Sequence, residues 1–347
     1  MTILCEPMVY YPEHVITNED TIFFLDELHP DTPNKEKAFR MIRNSTIEKR
    51  HLILPLDKTI ELGDFGERAT IYSEEARKQS TLVSQQAIKK SGAATKDISM
   101  VIVTSCTGFM MPSLTAHLIN SLKLSNSTIQ LPIAQMGCAA GASAINRAYE
   151  HCQQNSSNNV LIVALETASL CFHREANRLQ DFITNSLFGD GVAAVVMKGD
   201  DNGSGFKLSN TQSHFMNNSE EYITYSITSN GFHFSLDKDV MHSISKVAPK
   251  IVQFIEDSFD KKPHELDSYI FHTGGKRILD EVERCLSLNS SSLDNSRNCL
   301  RDTGNTSSVA VIDVLKRHFK QRKVGGLGVL VAFGPGFTTE MSAGEWV

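Results

Sequence analysis

Five short apolar runs constrain this chain more than any other feature: "MVIVTS" (100–105), "NVLIVALET" (159–167), "GVAAVVMKG" (191–199), "SYIFHTGG" (268–275) and "GVLVAFGPG" (328–336). Each is rich in branched apolar residues, too short for a helix and bounded by Gly or polar residues, so each reads as a buried strand. Between them lie segments of helical character, among them 68–92, 141–155, 239–260 and 307–323. Strands alternating with helices predict a layered α/β architecture. The order also repeats weakly, a helix preceding "MVIVTS" in the first half and "SYIFHT" in the second. With 347 residues, this favours two domains or one duplicated fold. The division is expected at about 1–210 and 211–347, because "GDDNGSGFKLSNTQSHFMNNSEE" (199–221) loses apolar periodicity and turns polar. The Ser/Asn-rich stretch 287–298 reads as a solvated surface loop.

Several function classes fall away. A formal net charge of -6 and the lack of a long basic run leave no electrostatic footprint for nucleic acid. The N-terminal residues lack a basic region followed by an apolar stretch, and no apolar run is long enough to span a bilayer, so a cytoplasmic protein is expected. Seven cysteines at irregular spacings, with no C-x-x-C pair, read as reduced thiols and offer no metal site. Nucleotide loops, zinc-protease and serine-hydrolase motifs are absent.

One cysteine stands apart. In "AQMGCAAGASAINRAYE" (134–150), Cys138 lies between a glycine-containing turn and a helix whose face is marked by Ile145, Ala148, Tyr149 and Cys152. A thiol at a helix N-terminus is expected to have its pKa lowered by the positive end of the helix dipole. A packing thiol, as Cys152 reads, is the plainer alternative. A nucleophile needs a proton acceptor and an oxyanion donor. His272, ahead of Gly274 and Gly275, and Asn305, just before a helix, are candidates; a structural histidine and a helix cap are their plainer readings.

Taken together, "QMGCAAG", "SLFGDGVAAVV", "FHTGGKRIL", "DTGNTSS" and "FGPGFTTEM", in this order, resemble the type III polyketide synthases, the chalcone synthase-like family. The resemblance runs over nearly the whole chain and is closest to bacterial members. It implies a homodimer of thiolase-like subunits, each a duplicated five-layered αβαβα core. It also implies catalysis by Cys138, His272 and Asn305 on acyl-CoA and malonyl-CoA, with no metal or organic cofactor. Phe188 and Phe234 match the family's aromatic gatekeepers, although the local alignment admits Phe232 in place of Phe234. Lys37, Arg40 and Arg277 fall where coenzyme A is held; Asn44 stands where a third cation is common, which Arg43 or Lys49 could replace.

Departures gather where the product is decided. The implied cavity positions are Cys106, Met111 (reaching across the dimer), Ala168, Cys171, Tyr225 and Ser307, unlike the threonine-rich set of plant chalcone-forming enzymes. Starter, chain length and cyclisation do not follow from them; a phenolic, resorcinolic or pyrone product is expected by bacterial analogy. Three alternatives compete. A carrier-protein-dependent condensing enzyme of fatty-acid synthesis is disfavoured by "HTGG" and "GPGF". A hydroxymethylglutaryl-CoA synthase would need Glu166 as its acid. An inactive acyl-CoA-binding relative is disfavoured by the intact Cys138, His272 and Asn305.

Overall fold

The computed structural model describes residues 2–200, 203–237 and 239–347. All five apolar runs are strands: Ile98–Thr104, Asn159–Glu166, Gly191–Lys198, Ser268–Phe271 and Leu327–Gly334. Among the described residues they belong to one ten-stranded sheet. From one edge its order is Ile129–Ile133, Ile98–Thr104, Asn159–Glu166, Gly191–Lys198 and Thr2–Leu4. It continues through Phe206–Phe215, Thr338–Trp346 and Leu327–Gly334 to Ser268–Phe271, with Met8–Tyr10 added beside Gly191–Lys198. Strand pairing is parallel at the two outer ends and antiparallel through the middle.

The alternation of side chains along these strands builds the layers. In the first half Val101, Val103, Leu161 and Val163 pack outward on the helices Phe65–Ser91 and Leu114–Ser121. Ile102, Ile162 and Ala164 point the other way, onto the helices Ala140–Gln154 and Ala310–His318. The second half mirrors this: Ile270, Leu330 and Ala332 meet the same two helices, while Phe271, Val329 and Val331 face Val240–Phe259 and Lys276–Cys285. Helix, first half of the sheet, helix pair, second half of the sheet, helix is the five-layered αβαβα core of a thiolase-like fold. Fully burying each such side chain is worth roughly 1.5–3 kcal/mol, so this double-sided burial holds the central layer most firmly.

The two central helices approach at backbone distance. A Cβ on Gly141 would lie 2.2 Å from the carbonyl oxygen of Ser308, so only glycine lets the start of one helix meet the single turn Ser307–Val309 that leads into the other. The outer helix Phe65–Ser91 is bounded by local chemistry: the Asp64 carboxylate accepts from Glu67 N–H, and Gly92 ends it at φ 73°.

Two polar stretches differ from expectation. Phe206–Phe215, inside the stretch read as losing its periodicity, is a full strand between Thr2–Leu4 and Thr338–Trp346. Only Phe206 and Leu208 are buried along it; backbone pairing, which leaves no hydrophobic signature, supplies the rest. In 287–298, the second part opens the helix Asp294–Thr303, with buried Ser296 donating to the Phe271 carbonyl. A hairpin, Ile223–Thr228 with Gly231–Leu236, forms a small separate sheet.

Candidate active site

Cys138 and Asn305, from distant segments, meet at one end of the sheet; His272 stands at the end of a strand of the second half, with no hydrogen bond to either among the described residues. Cys138 occupies the single turn Gly137–Ala139 that runs directly into Ala140–Gln154. Asn305 lies between Asp294–Thr303 and Ser307–Val309, and its backbone is tied to the Phe188 loop: its N–H donates to the Leu187 carbonyl at 2.9 Å and its carbonyl accepts from Gly189 N–H at 3.1 Å. The Asn305 amide is oriented by its own turn. Oδ1 accepts from Ser307 N–H at 2.8 Å, which directs Nδ2 to Cys138 Sγ at 4.0 Å, across 167 residues of sequence.

His272 follows the strand Ser268–Phe271, its N–H donating to the Val331 carbonyl at 2.9 Å. The strand beside it ends at Gly334, where any Cβ would strike Ala139 at 2.6 Å, so the adjoining strand delivers its end onto the Cys138 turn. The imidazole is 2% exposed, and among the described residues its Nδ1 has no hydrogen-bond partner.

Cys138 opens on a cavity of about 280 Å³ that is also lined by Cys106, Ala168, Phe188, Tyr225, Phe234 and Ser307, with Thr107, Gln135, Ile223, Leu236 and Pro335. The Phe188 and Phe234 rings face each other with centroids 6.0 Å apart, and Tyr225 meets Phe234 edge-on at 5.7 Å. Phe232, the other reading of that position, is buried among Phe65, Phe109 and Tyr225 instead. Two expected cavity residues do not line this chain's own cavity, and one of them, Met111, is the residue expected to reach across a dimer. Cys171 lines an adjoining pocket that shares Ala168, Phe188 and Phe234 with the cavity, because its Sγ turns back to the Thr107 carbonyl. Met111 is 97% exposed on the surface of its own chain.

Burial dominates the electrostatics. It pushes the Cys138 thiol up to about 11, against weaker opposing pulls from Ser307 and Asn305 hydrogen bonds, and pushes the His272 imidazole down to about 3. The expected helix-terminus lowering of the Cys138 pKa is therefore reversed, since desolvation of a thiolate outweighs the partial charge of one helix end. Burial thus disfavours the charged form of each group, thiolate and imidazolium alike. Glu166, also raised by burial, is consumed structurally: it accepts from Cys106 N–H, Thr107 Oγ1 and Ser308 Oγ. Burial and this carboxylate push Cys106 well above an ordinary thiol.

Lys37 and Arg40 are exposed on the short helix Lys35–Arg43, and Arg277 is exposed at the start of Lys276–Cys285; none lines the cavity. Arg43 is engaged by Glu19. Among the described residues no cluster of three or more His, Cys, Asp or Glu is placed to hold a metal, and no helix is long and apolar enough to cross a membrane.

Sequence reasoning missed the hairpin wall of Ile223, Thr224 and Leu236, although the "SNG" turn between alternating segments carries a hairpin signal. Thr107 and Gln135 had no such signal.

A thiol that lines a cavity, with a carboxamide 4.0 Å from its sulfur, within a duplicated thiolase-like core fits a condensing acyltransferase. The family models described as "Chalcone and stilbene synthases, N-terminal domain" and "C-terminal domain" match residues 8–201 and 207–343, and the chain belongs to that family, the type III polyketide synthases. It is 49% identical to the phloroglucinol synthase of Pseudomonas fluorescens, over 100% of this chain and 99% of that one. It is 41% identical to the 1,3,6,8-tetrahydroxynaphthalene synthase of Streptomyces coelicolor, over 100% of this chain and 92% of that one. A crystal structure of 1,3,6,8-tetrahydroxynaphthalene synthase from Streptomyces coelicolor A3(2) superposes with a TM-score of 0.97 at 40% identity, covering 99% of both chains.

Proposed function

We propose that this enzyme condenses malonyl-CoA units on Cys138 and closes the chain to a small phenol. The observation that carries this reading is the Asn305 carboxamide, locked by Ser307 and aimed at the Cys138 sulfur, at the end of a cavity bordered by Phe188 and Phe234. Burial that disfavours both charged forms sets the order of events. His272 takes the thiol proton as sulfur attacks the acyl-CoA carbonyl; the tetrahedral intermediate expels coenzyme A as thiolate, which takes up a proton, and the acyl group remains on sulfur.

Malonyl-CoA then loses carbon dioxide. The bond to the carboxylate breaks and its electron pair becomes an enolate, with negative charge on the thioester oxygen. Asn305 Nδ2–H and the His272 ring N–H donate to that oxygen; loss of one such donor typically costs about 100- to 1,000-fold. The enolate carbon attacks the Cys138 thioester, the carbon–sulfur bond breaks, and the chain leaves extended by two carbons on coenzyme A, ready to reload.

A phenolic product is supported by the activities for which the two relatives are named and by a cavity with room for a small chain. Phe188 and Phe234 act as the gate between coenzyme A and the cavity. Lys37, Arg40 and Arg277 hold its phosphates, a role supported by their exposure. A homodimer is supported by the outward-facing Met111 and Phe109 and by the edge strand Ile129–Ile133 with its unpaired backbone groups. Free thiols at all seven cysteines fit a cytoplasmic setting.

Malonyl-CoA decarboxylation and product mass spectrometry on the purified chain test the reading. Cys138→Ala is expected to abolish acyl transfer and product while sparing much of the carbon dioxide release; Asn305→Ala should lower that release by about 100-fold or more. Full product from Cys138→Ala would refute the assignment.

A further inference from the structure

Outside this chemistry, one buried arginine is built into the joint between Phe188 and Asn305. Arg50 lies in the strand Lys49–Leu52 and is 3% exposed. Its Nη1 donates to two backbone carbonyls, Asn185 at 2.6 Å and Phe188 at 3.0 Å, and its Nη2 donates to Thr21 Oγ1. The stem fills a notch between two glycines. A Cβ on Gly304 would lie 2.8 Å from Arg50 Cγ, and one on Gly189 would lie 3.3 Å from Arg50 Cβ. These glycines are the chain neighbours of Asn305 and Phe188, which pair with each other in an isolated parallel bridge. One side chain thus grips both halves of the bridge, the carbonyl of Phe188 with its head and the backbone before Asn305 with its stem.

Burying a guanidinium is costly unless its donors are satisfied and its charge balanced; here Nη1 and Nη2 are paired, while Nε has no partner among the described residues. Balance comes from Asp190, whose buried carboxylate accepts from Ile53 N–H and from Ser169 N–H and Oγ. Arg50 borders the adjoining pocket that Cys171 lines but not the cavity of Cys138, and its donors go to backbone carbonyls and Thr21, so its effect on the Asn305 chemistry runs through what it holds. An oxyanion contact is sensitive to displacement: misplacing a group by about 1 Å can cost on the order of 100-fold.

We propose that Arg50 is a positioning residue for decarboxylation, keeping the bridge in register so that Asn305 Nδ2 stays on the reacting oxygen. The inference rests on the reading of Asn305 as a donor to the enolate. Arg50→Met and Arg50→Lys, each made alone and with Asn305→Ala in the full chain, separate the two. Carbon dioxide release from malonyl-CoA gives kcat and KM, and mass spectrometry gives acylation of Cys138. Arg50→Met is expected to lower kcat for carbon dioxide release by about 10- to 100-fold with KM changed less than about threefold, and to leave Cys138 acylation in place. Arg50→Lys should recover part of the loss. In the Asn305→Ala background Arg50→Met should add nothing, because residues that act as one unit are non-additive.

Equal losses in both backgrounds would overturn the proposal. If Asn305→Ala by itself left carbon dioxide release intact, the reading of Asn305 would fall instead. Should Arg50→Met not fold, Thr21→Val removes only the Nη2 acceptor. It is expected to cost about three- to tenfold in kcat with Asn305 present and nothing without it; the same loss in both would again overturn the proposal.

Discussion

Cys138 and Asn305 are held between two central helices in backbone contact at Gly141 and Ser308, whereas Tyr225 and Phe234, on the facing wall of the same cavity, sit on a two-stranded hairpin outside the main sheet. The first wall is packed from both sheets. The second is anchored by a few groups: the Phe65 N–H donates to the Ser229 carbonyl, and the His173 ring is 2.8 Å from the Phe232 carbonyl oxygen. Hairpin side chains at Ser226, Ile227 and Thr228 are exposed to solvent. A fold of this kind can hold its condensing chemistry constant in the double-sided layer while the hairpin changes cavity shape at little structural cost.

That contrast can be broken most severely at Gly141. Gly141→Val forces side-chain atoms into the Ser308 carbonyl and should destabilise the chain by about 3 kcal/mol, whereas Ile227→Ser on the hairpin should stay within about 0.5 kcal/mol. Urea midpoints measure both. Similar values for the two would erase the distinction.

Acid should attack the central layer next. Burial holds His272 at about 3 and His318 at about 4, and His173 under the hairpin at about 4, against an ordinary 6.5. Unfolding lets all three bind protons in the window from about 4 to 6.5, so stability falls as pH drops through it. Asp190, pushed up to about 6 by burial, opposes this between its ordinary 3.8 and about 6, as do Glu166 and Glu340, also raised by burial, whereas His29, His51, His117, His151 and His233, also lowered by burial, add to the fall. Melting temperature should therefore fall from pH 6.5 to pH 4.5, and His318→Asn should flatten the slope. A flat profile in the parent chain would show that the buried imidazoles are compensated elsewhere.

The smallest effect on rate is expected at the hairpin itself. Tyr225→Ala removes a ring that meets Phe234 edge-on, and should redistribute products by mass spectrometry while carbon dioxide release stays within about threefold. A loss as large as that of Asn305→Ala would place the hairpin inside the chemistry.

Much of the scaffold was readable from local pattern. The five apolar runs became strands because burial on both faces selects branched apolar residues whatever the partner strand is. Phe206–Phe215 escaped because its place in the sheet is secured by backbone hydrogen bonds, and most of its side chains face polar surroundings. At the site, nearby glycines made Cys138, His272 and Asn305 candidates beside plainer structural readings, and the family motifs around them carried the assignment. Arg50 could not, since nothing in "EKRHLI" distinguishes a guanidinium buried against two glycines from one in solvent.

By itself the sequence determined the alternation of strands and helices, the thiol at the head of a central helix, and the motifs that assign the chain to its family; these depend on neighbours a few residues away. Only the tertiary structure decided that Asn305 turns its amide to Cys138 across 167 residues, that Phe234 and not Phe232 faces Phe188, and that burial disfavours the charged forms of the Cys138 thiol and the His272 imidazole. Convergence and desolvation are set by what surrounds a group in space, and a linear pattern carries no record of which distant segments will exclude water from it.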